Sequence, residues 1–203
     1  MAAGSSSGST TPPEAVRTFQ IKTVSDMLAK LEWEIEQLQV TQFSQSAKSV
    51  DISSYFAINA ALTAFHVCEW IWHIGTQQQK DAWLQAAPAA SKAQGKTRFQ
   101  VGLKYQCPEF GVCRAIANSF KHLADDQFTD TNVLTDVPVF ELSVPATAGS
   151  MRAGDPLAQF AKVLMVRSKG GITPAAHVLS RTYGFLEDFC EKNGFLVGSQ
   201  VRP

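Results

Sequence analysis

The sequence predicts a mainly α-helical bundle of four to five helices, with a β-hairpin inserted before the last helix. Three observations carry this expectation. Apolar residues recur at helical spacing in four long stretches. Two segments near residues 137–168 are rich in β-branched and large apolar residues around a Gly/Pro-containing connection. The alternating strand and helix pattern of a parallel sheet is missing from the order of these elements.

The 203 residues suffice for one core that stands without disulfides or a structural metal, and a hydrophobic share of 45% is that of a folding chain. Residues 1–15 are Ser/Gly/Thr-rich and end in Pro12-Pro13, which reads as a disordered tail preceding a single helical domain over 16–203. From Ser25, read as an N-cap, Val24, Leu28, Leu31, Ile35 and Leu38 form a helical stripe, with Glu32, Glu34 and Glu36 off it. Asp51 and Ser53 precede a second helix that reaches His73 and closes at Gly75. Asp81–Ala87 and Arg98–Gln106 read as short helical pieces. Cys107-Pro108 starts the next strong helix, ending near Ala124, with Val112, Ile116, Phe120 and Leu123 as its buried stripe.

Val137–Val144 and Leu157–Arg167 are expected to pair as antiparallel strands. Gly170-Gly171 reads as a turn. Thr173, followed by Pro174, is expected to cap a final helix running to about Lys192, which Asn193-Gly194 stops.

Charge and cysteine usage narrow the function classes. Eighteen Lys plus Arg balance eighteen Asp plus Glu, so any nucleic-acid site must be a local patch rather than a global cationic field. No apolar run is long enough for a membrane span, and no secretory leader is evident. Cys68, Cys107, Cys113 and Cys190 are widely spread without CxxC spacing, which favours reduced core thiols and a soluble, cytoplasmic protein without a membrane partner.

Two polar stripes carry the candidate chemistry. On the second helix, a turn of about 100° per residue puts His66, Glu69 and His73 on the arc of Tyr55, Ile58, Leu62, Phe65 and Trp72. Groups three and four apart on a helix can aim at one divalent metal ion, or form a structural polar cluster in which Glu69 bonds a neighbouring histidine. The matching inward Glu and Glu-x-x-His set of a di-iron bundle is not visible. On the helix after Pro108, Arg114, Asn118, Lys121 and His122 oppose the Val112, Ile116 and Phe120 stripe. Two cations, an amide and an imidazole suit phosphate binding with acid or base assistance, and an ordinary solvated face has the same composition.

The string Arg114-Ala115-Ile116-Ala117-Asn118-Ser119-Phe120-Lys121-His122 resembles the signature of HEPN-type helical domains, in which an Arg, a polar residue, three further residues and a His lie on a late helix. Asn118 and His122 match that pattern. Ala117 stands at the arginine position, and Arg114 lies three residues earlier. The string also looks like one in an uncharacterised bacterial type of helical protein with a His and an acidic residue before Trp in an earlier helix, here His66 and Glu69-Trp70. The resemblance implies RNA binding, dimerisation and, in many members, metal-independent endoribonuclease activity in toxin, antiphage or stress systems. In its terms His122 is the acid or base for ribose 2′-hydroxyl attack, Asn118 orients groups, and Arg114 and Lys121 meet the phosphate. No cofactor is implied. A divalent metal at His66, Glu69 and His73, or a non-catalytic interaction protein, are the rival readings.

Other features carry less. Gly170-Gly171 has no phosphate-loop pattern around it, and no GxSxG elbow is present. His177 could approach either stripe or face solvent. Trp33, Trp70, Trp72 and Trp83 could stack on bases or anchor the core.

Overall fold

The computed structural model describes residues 19–44, 46, 48–89, 92–121, 132–135, 140–145 and 158–196. Among them the order is α1 (Val24–Gln42), α2 (Ser49–Ile74), α3 (Gln77–Ala86), α4 (Gly95–Gln106), α5 (Pro108–Lys121), β1 (Phe140–Pro145), β2 (Ala158–Val163), β3 (Met165–Ser168), β4 (Gly171–Pro174) and α6 (Ala175–Lys192). The expected mainly helical class is present, with six helices among the described residues rather than four to five, and with a second antiparallel pair, β3–β4, besides the expected hairpin ahead of the last helix. The 1–15 tail and the expected end of the α5 segment at Leu123 and Ala124 lie outside the described residues. No helix among the described residues is long and apolar enough to cross a membrane.

The cap of α1 is Thr23, not Ser25. The Asp26 N–H donates to Thr23 Oγ1 at 3.1 Å, and Asp26 Oδ2 accepts from the backbone N–H groups of Thr23 and Lys22, each at 2.9 Å. This reciprocal box satisfies donors that Ser25, already inside the first turn, could not reach. Helix α3 has the same device in Thr76 and Gln79, so it begins at Gln77 rather than Asp81. Asp51 and Ser53 lie within α2 instead of preceding it, with Asp51 in the first turn, where a carboxylate complements the helix dipole.

α1 and α2 pack as a helical hairpin, and α2 also contacts α4, α5 and α6. That central position explains which of its faces is buried. The line facing its neighbours is small: Ala60, Ala61, Ala64, Val67, Cys68 and Ile71 are fully buried, which allows close approach on several sides. Tyr55, expected on the interior arc, is 63% exposed, and His73 is exposed too. Helix α5 shows a related shift. Its deepest line is Phe110, Cys113 and Ala117, whereas Ile116 is half-buried and Phe120 is 60% exposed. The helix is held by α2, α4 and α6 together, so its buried surface is broader than, and rotated from, the stripe that spacing suggests.

Glu34, read as off the α1 stripe, is 3% exposed. It lies three residues after Leu31 and four before Leu38, and faces α2. Thr63 Oγ1 donates to Glu34 Oε2 at 2.6 Å and accepts from Lys30 Nζ at 2.6 Å, while Lys30 also donates to Glu34 Oε1. The buried carboxylate is thus paired and hydrogen-bonded, as burial of a charge requires.

β1 and β2 are antiparallel, with Phe140 opposite Val163 and Pro145 opposite Ala158. The long strand expected over Leu157–Arg167 divides at Leu164. Its carbonyl accepts from the Ala175 N–H at 2.9 Å, which ties the break to the start of α6. β3 then pairs with β4 through a turn at Lys169-Gly170, Met165 lying opposite Pro174, and Leu134 bridges to Arg167. Because Thr173 is paired in β4, the residue at the cap of α6 is Pro174, with no side-chain bond. α6 stops at Asn193, followed by Gly194 at φ +73°, a conformation open to glycine at little cost.

One aromatic cluster fastens the short helices to the bundle. Trp83 stacks on Phe99 at 4.9 Å between ring centroids and meets Phe189 at 5.6 Å, with Trp72 5.5 Å from Phe99. Gly75 permits this packing, since a Cβ there would lie 2.6 Å from the Trp83 ring.

Candidate functional site

Arg114 of the second polar stripe comes near Cys68 and Glu69 of α2, where α2, α4 and α5 adjoin. Glu69 is the centre. Its Oε2 is 3.3 Å from His66 Nδ1, and its Oε1 accepts from Lys96 Nζ of α4 at 2.7 Å. An ionised carboxylate only accepts, so in this pairing His66 Nδ1 is the donor. Glu69 is mostly buried, whereas His66 and Lys96 are about two-fifths exposed, at 43% and 39% of their side chains. His66 borders a hollow shared with Lys30, Asn59, Thr63 and Trp70.

The neighbouring Cys68 thiol registers how close the charges lie. Burial pushes it far up and the Glu69 carboxylate adds to the shift, while the cations of Arg114 and Lys96 pull the other way. Arg114 therefore belongs to the α2 junction. Its Nε is shielded from solvent, and Asn118, one turn on, is half-buried. Arg114 and Asn118 do not form the fully solvated half of an amphipathic helix. Lys121 is the last residue of α5, and His122 lies outside the described residues.

His73 does not complete a donor set with His66 and Glu69. Among the described residues no group of three His, Cys, Asp or Glu side chains is arranged to hold a metal ion. The Lys96 ammonium already neutralises Glu69, which weakens the case for a divalent cation there. His66 and Glu69 instead form the hydrogen-bonded polar cluster that their spacing also allowed.

His177 is exposed and borders a different hollow with Lys104, Glu109 and Lys169, toward the start of α5. Trp72 and Trp83 serve the aromatic core, Trp70 packs partly against it, and Trp33 is 52% exposed in edge contact with Phe56. Sequence reasoning missed Lys96 because nothing local links it to Glu69, 27 residues away. Glu34 is placed off the α1 stripe by its residue type, although its i+3 and i+4 relation to Leu31 and Leu38 marks it as a buried position.

The four cysteines are buried and unbridged. Burial pushes the Cys113 and Cys190 thiols up to about 12 and raises Cys107. These are inert core thiols rather than nucleophiles. No family model, curated protein or solved structure matches the chain.

Proposed function

We propose that this chain is a HEPN-like RNA-binding protein, with Arg114, Asn118 and Lys121 on α5 and Lys96 on α4 as the groups that meet the RNA backbone. The supporting observation is that Arg114 and Lys96, cations from two helices, lie about the single Glu69 carboxylate beside His66 in a chain of zero net charge, an excess of one positive charge. A local patch of this kind is what phosphate binding needs when the whole-chain field is neutral. In the finer form of the proposal, His122 moves the proton in metal-independent cleavage within a toxin or defence system, and the protein works as a homodimer. A reducing compartment such as the cytoplasm fits the unbridged cysteines.

The test is incubation of a labelled mixed RNA pool with purified protein in EDTA, read for both retention and cleavage. Salt-sensitive retention that falls in Lys96→Gln and Lys121→Gln is expected, with cleavage lost in His122→Ala. RNA that neither binds nor is cut at low salt would end this reading.

A second reading, a non-catalytic interaction protein, is favoured by the exposed apolar side chains of the α1–α2 hairpin, among them Trp33, Val40, Phe43 and Tyr55. Sedimentation of wild type and Trp33→Ser would report whether that face joins two copies.

A further inference from the structure

A cavity of about 290 Å³ lies between α2, α5, β3 and the first turns of α6, with residues 133–135 along one side. Its walls are mainly apolar, built from side chains such as Ile58, Ile116, Val133, Met165, Val178 and Leu179. Among the described residues, no Asp, Glu, Lys, Arg or His lines it, and the polar side chains there are the hydroxyls of Ser54, Ser119 and Thr135 and the Cys113 thiol. That thiol is uncharged and shares a hydrogen bond with Thr182 Oγ1 at 3.4 Å. Phe120, which helical spacing would bury, is 60% exposed and stands at this cavity.

These features define an occupant. An enclosed apolar cavity of about 150 Å³ accepts benzene; this one is roughly twice as large and opens to solvent beside Ser119, Phe120 and Thr135. Among the described lining residues water would find few partners, and an ionised ligand would lose hydration without meeting a counter-charge. A mostly apolar interior with a few hydroxyls is the usual lining of a small-molecule site. We propose that the cavity binds an uncharged, largely apolar small molecule of about the size of a substituted naphthalene, with one hydrogen-bonding group directed at the hydroxyl of Ser54, Ser119 or Thr135. The site is separate from the Glu69 cluster, and the proposal stands without the RNA reading.

The test is a fluorescence titration of the full chain with N-phenyl-1-naphthylamine, a neutral probe carrying one N–H donor. Saturable enhancement at one probe per chain is expected. Ala57→Phe fills the α2 wall and Ser119→Trp obstructs the α5 side, and each should weaken binding by about tenfold or more. Both variants are first checked for wild-type helical circular dichroism and cooperative unfolding. Should Ala57→Phe fail that check, Ser119→Trp, at an exposed position, carries the comparison. The proposal is overturned if wild type shows no saturable enhancement or if the folded variants bind as wild type does. Tighter binding of the sulfonated, anionic analogue would overturn the uncharged ligand class.

Discussion

The indole N–H of Trp83 donates to the side-chain carbonyl of Asn193 at 2.9 Å, joining α3 to the end of α6 across 110 residues. Asn193 also donates from Nδ2 to the Phe189 carbonyl at 2.7 Å, and its own carbonyl accepts from Gln79 Nε2 at 3.0 Å. Asn193→Ala removes the first two bonds and leaves the buried indole donor without its acceptor. A loss of about 1–3 kcal/mol is expected in urea unfolding. In a double-mutant cycle, Asn193→Ala should cost less in a Trp83→Phe background, where the donor is already gone. Additive losses would show that Trp83 does not depend on this acceptor.

The Lys30–Glu34–Thr63 triad should behave as a unit. Thr63→Val removes one donor from the buried Glu34 carboxylate and is expected to cost about 1–3 kcal/mol. Lys30→Met leaves the same carboxylate without its cation. In a double-mutant cycle, Lys30→Met with Glu34→Leu should recover part of the single loss, because the charge and its partner leave together. Additive losses would mean that the two groups are not coupled.

Asp26 gives the fold a pH-dependent element. Hydrogen bonds from the Lys22 backbone, the largest cause, and from Thr23 hold its carboxyl below the usual range. A depressed folded value contributes stability above the unfolded carboxylate pKa of about 3.9 and loses it as pH falls through the lower folded value. The stability gap between wild type and Asp26→Asn should therefore be present near neutral pH and close in acid. A gap that widens in acid would contradict the assigned direction. Thr23→Ala should cost about 0.5–2 kcal/mol through the same cap.

The thiols offer a chemical check of the core. With Cys113 and Cys190 pushed up to about 12, each carries on the order of a thousandfold less thiolate at mildly alkaline pH than a free cysteine of pKa about 8.5. Native protein should leave all four cysteines unreacted toward a disulfide reagent, and denaturant should release all four. A fast-reacting thiol in the native state would mark an opening of the bundle.

Much of the helical framework was legible because it is encoded locally. Leu28, Leu31, Ile35 and Leu38 announce α1, Pro108 opens α5, and Asn193-Gly194 closes α6, each through interactions within about a turn of chain. The pairing of the β1 and β2 segments followed from their composition and the connection between them. Capping was harder to place, since Thr23, Ser25 and Thr76 are equally plausible by residue type. The reciprocal partners Asp26 and Gln79 decide between them.

The sequence by itself determined the helical class, the place of the first hairpin ahead of the last helix, the core character of the cysteines and the polar residues available for chemistry. Tertiary structure decided which helix faces are covered, the break at Leu164, the pairing of Glu69 with Lys96, the approach of Arg114 to Cys68, and the cavity between α2, α5, β3 and α6. The physical reason is the range of the forces involved. Backbone hydrogen bonding and side-chain spacing act over three or four residues, so they can be read along the chain. Burial depends on which remote surfaces come together, and a helix such as α2, packed against α1, α4, α5 and α6, carries no single stripe from which that choice can be read.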